Sequence, residues 1–217
     1  MLERISRQER FDLLVAWGAV SLAFAIIFLK ESLAVSGKLD PVTALSLIGI
    51  SLVTVGIGFV AHEMAHKFTA IKFGYWAEFR KDNMMLLVAV ALAALVGVVF
   101  AAPGATVIYA DNRFGGGISR EQNGKISAAG PVTNLLLCIP FAALLVYGGT
   151  PSMVFGSLAS VIGMMGLQVN AMIAAFNMLP VSILDGRKVL AWNTGIFIVL
   201  IVAAFGTLLL SYYPQLL

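Results

Sequence analysis

The chain has 217 residues, of which 60% are hydrophobic and only 12% charged, and its mean hydropathy is +0.95. A soluble domain carries about 25% charged residues, so the composition excludes an ordinary soluble fold and indicates an integral membrane protein. The net charge of +3 is scattered over loops without the basic stripe of a nucleic-acid binder, and the lone Cys138 excludes an intramolecular disulfide.

The N-terminal ten residues carry Arg4, Arg7 and Arg10, and Leu13 to Leu29 is then uncharged and long enough to span a bilayer. Lys30-Glu31 closes that run with no small-x-small cleavage site after it, so it reads as a retained first helix rather than a signal peptide. Pro41, a favourable first helical residue, opens a second helix predicted to run to Ile71, where Gly74 stops it.

Near the inner end of this second helix stands His62-Glu63-Met64-Ala65-His66, which contains both histidines of the protein. Residues four apart on a helix share a face, so the two imidazoles are spaced for one tetrahedral zinc, with Glu63 beside them to act on its water. Ionisable groups abutting an apolar span are costly and functional by default. His62 lies about 14 Å from the predicted end of the helix, which puts the metal within the membrane but close to the inner face.

Asn83 to Ala110 is uncharged, broken at Pro103-Gly104, and can either cross the membrane or dip in and return. If it returns, twelve of the fourteen Lys and Arg residues fall on the inner side; if it crosses, they divide evenly. The positive-inside bias favours return, with Ala105 to Tyr109 coming back as a strand because of its β-branched residues. A Gly-rich polar loop from Asp111 to Lys125 follows, then a span from Ala128 to Tyr147 that opens Gly130-Pro131-Val132-Thr133-Asn134. An uncharged stretch from Ser152 to Leu184 carries Gln168, Asn170 and Asn177, and the last span is predicted from Gly195 to Tyr213. The expected fold is thus an all-α polytopic helical bundle of about five to six transmembrane helices, with a re-entrant or hairpin segment after the HExxH helix. The chain is expected to form a single membrane-embedded domain over residues 1–217, without a soluble accessory domain.

A hydrolytic zinc site needs three protein ligands and an open position. Asp185 is the single acid beyond Glu121 and is expected level with the histidines. It can supply the third ligand, or it can serve as a helix cap paired with Arg187 or Lys188. Glu121, in a charged loop, is the competing later acid. Asn134 can orient substrate, bind an oxyanion or join helices, and Asn170 and Asn177 share a helical face that can line a water path.

HEMAH in a membrane helix, GPVTN opening a later one, and Asn177-Met-Leu-Pro180 leading into Leu184-Asp185-Gly186 together resemble the site-2 protease family of intramembrane zinc metalloproteases. The resemblance covers about residues 41–190. It departs from the family pattern at Arg187, where many members have glycine, and at Ile183, where many have proline. The resemblance implies one Zn2+ per chain held by His62, His66 and Asp185, with Glu63 as general base. Asn134 and Asn177 are then candidates for binding substrate or the oxyanion. It further implies a transmembrane protein as substrate and an active site near the cytoplasmic face, and the charge bias puts the N-terminus of this multi-pass cell-membrane protein on the same side. The alternative function is a transporter or channel that uses the HEMAH and Asp185 groups as an ion or proton relay. Against it, the spans show no inverted pair of broken helices.

Overall fold

A computed structural model describes residues 5–99, 104–109, 117–149, 157–181 and 183–213. It shows an all-α polytopic bundle with, among the described residues, five helices long and apolar enough to cross a membrane. Helix α1, Arg7–Ser36, is capped by the Ser6 hydroxyl and ends at Gly37, whose φ of 70° suits glycine. Helix α2, Pro41–Lys72, starts under an Asp40 cap on the Val42 and Thr43 N–H groups. At about 48 Å it is longer than the hydrocarbon core.

Next come strand β1, Trp76–Lys81, helix α3, Asn83–Leu95, and strand β2, Gly104–Tyr109. The two strands pair antiparallel, Trp76 opposite Tyr109 and Lys81 opposite Gly104. The chain therefore leaves and re-enters the hairpin at one level. Since α3 spans only about 20 Å, the segment after the HExxH helix is a return and not a crossing. Pro103, read as part of the break, lies outside the described residues, as do Arg4 and residues 111–116 of the Gly-rich loop.

Helix α4, Arg120–Gly148, has a capping box between Ser119 and Gln122 and contains Pro131 and Pro140. Helices α5, Leu158–Asn177, α6, Asp185–Trp192, and α7, Thr194–Tyr212, complete the chain. Helix α5 is buried along most of its length and packs on α2, α4 and α7. Small residues make this possible. A Cβ at Gly163 would collide with the Leu145 backbone, and one at Gly58 would come within 2.9 Å of Asn170 Oδ1.

Three features differ from the sequence expectation. Helix α1 begins well before Leu13 because its first turns bury Glu9 and Asp12 in ion pairs rather than exposing them. Strand β1 occupies a short polar stretch for which no element is predicted, held in place because β2 supplies its ladder. Helix α4 starts at Arg120 instead of Ala128, its charged first turn carrying a Lys125–Glu121 pair.

Candidate metal centre

His62, His66 and Asp185 come together at one end of the bundle, all three buried. His62 Nε2 and His66 Nε2 lie 3.0 Å apart, and Asp185 Oδ2 stands 3.4 and 3.0 Å from them. The helical repeat of α2 stacks the two imidazoles. Asp185 arrives from the first turn of α6, which begins close against the end of α5. A Cβ on Gly186 would strike the Met178 carbonyl, so only glycine permits that approach.

Hydrogen bonds on the far side of each ring decide which nitrogens face inward. His66 Nδ1 lies 2.7 Å from the Ile126 carbonyl, which can only accept, so Nδ1 carries the proton. His62 Nδ1 lies 2.5 Å from Asn134 Oδ1. The orientation of that amide is fixed in turn, because Asn134 Nδ2 donates to the Gly58 carbonyl (3.0 Å) and to Asn170 Oδ1 (2.9 Å). Asn170 Nδ2 donates to the Gly166 carbonyl at 2.8 Å, which closes the chain. Both Nε2 atoms therefore present lone pairs, and they face a carboxylate oxygen. Three acceptors converging at these distances repel one another unless a cation lies among them.

The donor set and the space agree with a metal. Two imidazoles and one carboxylate form a ligand set known for zinc with an open fourth position. Where α4 passes over the centre it presents Gly130. A Cβ there would lie 2.6 Å from His62 Nε2 and press on His66 Nε2. The glycine keeps clear the volume in which the ion would sit.

Glu63, buried on the same helix, lines the cleft in front of the centre together with Thr106, Asn177 and Lys188. The Thr106 hydroxyl donates to Glu63 Oε2 at 2.9 Å. Lys188 Nζ stands 3.6 Å from Asp185 Oδ1, so the ion pair foreseen in the capping alternative coexists with the carboxylate's approach to the histidines. The cleft encloses about 60 Å³. That is room for a few waters at about 10–15 Å³ each, and far too little for a helix about 10 Å across. Strand β2 forms one wall, with Gly104, Ala105, Thr106 and Ile108 on the cleft.

The structure separates the two asparagines of the sequence reading. Asn177 lines the cleft, its amide nitrogen donating to the Ile173 carbonyl at 3.0 Å. Asn134 is fully buried behind His62 with both amide atoms engaged, so it faces the imidazole rather than a substrate. Asn170 likewise sits behind Asn134 and not on a water path. Sequence reasoning missed the Ile126 carbonyl, the cradle at Gly130 and the Thr106 hydroxyl. Only Gly130 left a local signal, as a glycine ahead of the helical Pro131.

No family profile and no solved structure matches the chain. A protein of Methanocaldococcus jannaschii named as a candidate zinc metalloprotease, MJ0611, is 35% identical over 208 residues, 95% of either chain. The chain belongs to the same zinc metalloprotease family.

Proposed function

We propose that this protein is an intramembrane zinc metalloprotease of the site-2 type, which hydrolyses peptide bonds within or near transmembrane segments of other proteins. The observation that carries the reading is a buried two-histidine, one-carboxylate centre within a bundle of five apolar helices. One zinc ion would be held by His62, His66 and Asp185. When bound, it supplies Lewis acidity that polarises the scissile carbonyl and acidifies water.

Glu63 takes the proton of the attacking water and returns it to the leaving amine. Thr106 engages Oε2 of that carboxylate, so the transfer falls to Oε1. The bilayer brings the substrate in laterally, as a helix whose carbonyls are tied up in its own hydrogen bonds. The narrow cleft admits it only after local unwinding, and β2 then offers an unpaired ladder edge to which the unwound stretch adds as a strand. Asn177 stands on the cleft wall as a further donor toward that substrate. The N-terminus and the active-site end are assigned to the cytoplasmic side, since the returning α3 leaves twelve of fourteen Lys and Arg residues there.

Glu63→Gln tests the reading. The substitution keeps size and a hydrogen-bonding end, so the protein should retain its zinc and its fold yet no longer cleave reconstituted single-span segments. Removing zinc with a chelator should stop wild-type cleavage as well. Helix-breaking residues near the cleavage point should speed the reaction by lowering the cost of unwinding. Zinc-loaded wild type that cleaves nothing in a broad panel of membrane segments, but moves ions across liposomes, would be a transporter.

A further inference from the structure

Two polar anchors fasten the β1–β2 hairpin to α2, one helical turn apart. The first joins Lys67 to Glu9 of α1, both fully buried. The other oxygen of Glu9 accepts the Phe79 backbone N–H of β1 at 3.1 Å. The second anchor is Thr106 of β2, whose hydroxyl donates to Glu63 Oε2 at 2.9 Å. Phe79 and Thr106 are cross-strand partners. A single rung of the hairpin is thus tied to α2 from both strands, at Lys67 through Glu9 and at Glu63 directly.

A glutamate has three rotatable bonds, and fixing such a chain costs rotamer entropy. Threonine is a stiff partner, because its β-branched side chain has few accessible χ1 states in a strand. We infer that Thr106 is a positioning residue for Glu63, holding one carboxylate oxygen so that the other points into the cleft. This rests on Glu63 being the general base. It also links two parts of the reaction, since the strand that would receive the unwound substrate is the strand that aims the base. An α2 helix carrying HExxH without this hairpin would leave its glutamate free to swing.

Thr106→Val removes the hydroxyl, keeps the shape and favours the strand, and Thr106→Ser restores a hydroxyl. In purified full-length protein, Thr106→Val should bind the wild-type amount of zinc and cleave a single-span test segment with kcat reduced about ten-fold. KM should stay within about two-fold, and Thr106→Ser should recover most of the rate. Wild-type kcat in Thr106→Val overturns the inference, as does a loss confined to KM, a loss of zinc, or a serine variant no better than valine. Cleavage that survives Glu63→Gln would instead overturn the general-base role of Glu63 on which the inference rests. If no test segment is cleaved, an experimental structure of zinc-loaded Thr106→Val decides. The Glu63 carboxylate should leave its wild-type position, and finding it unmoved overturns the inference.

Discussion

His62 and His66 each commit one ring nitrogen to an acceptor behind them, and this is what makes the other nitrogen available. Two substitutions test that account separately from catalysis. Asn134→Ala removes the acceptor behind His62, and losing such a partner typically weakens metal binding about 10- to 100-fold. Gly130→Ala adds a methyl group where the ion would sit, while slightly favouring the α4 helix by its propensity. Both variants should keep wild-type helical content by circular dichroism and should lose zinc in competition with a chelator. Wild-type zinc affinity in Gly130→Ala would mean that the cradle is not where the metal lies. The two histidines were legible in the sequence because helical spacing is local and fixes their relation without any tertiary knowledge. Asp185, the one acid beyond Glu121, stayed open between ligand and helix cap on the residues alone, and its role as ligand came from the resemblance of its motif. The Thr106–Glu63 contact was illegible, because nothing local relates a strand hydroxyl to a glutamate on another element.

The apolar runs located α2 and α7 to within a residue at either end, since solvation by lipid leaves little freedom in where a span lies. What they missed were helix ends whose charges are satisfied by tertiary partners. The first turns of α1 fell outside the uncharged run from Leu13, yet their acids Glu9 and Asp12 are buried against Lys67 and Arg80. Breaking a buried pair by removing one partner costs about 3–5 kcal/mol, whereas replacing both partners by apolar side chains is often near neutral. Glu9→Ala should therefore destabilise the detergent-solubilised protein by about that amount, with the Phe79 N–H orphaned as well. The double variant Glu9→Leu with Lys67→Met should recover part of the loss in a thermal unfolding cycle. A double variant no more stable than Glu9→Ala would show that the pair acts through its hydrogen bond to β1 alone. Strand β1 was unreadable for a related reason, as its ladder comes wholly from β2, across the entire α3 excursion.

For the whole molecule, one question of parity decides whether the site can exist. The histidines hang near the end of α2 and Asp185 precedes α7, so the two meet only if an even number of crossings separates them. Helices α4 and α5 supply two. A crossing between β1 and β2 would add a third and place Asp185 across the bilayer from its partners. The strand register forbids this, because Gly104 returns opposite Lys81. Helix α3 nonetheless reaches deep. Lys30, near the far end of α1, donates to the Ala93 carbonyl at 3.4 Å and to that of Ala94, which places a cation at the helix C-terminus. The returning segment is therefore tethered to α1 at Lys30. Single cysteines at positions 120 and 187 should react with an impermeant reagent from one side of sealed vesicles, and a cysteine at position 38 from the other. The native Cys138 is buried within α4 and should stay silent. Labelling of position 120 from the side of position 38 would mean that the chain crosses between the strands, and the three-residue centre could not then form in the membrane.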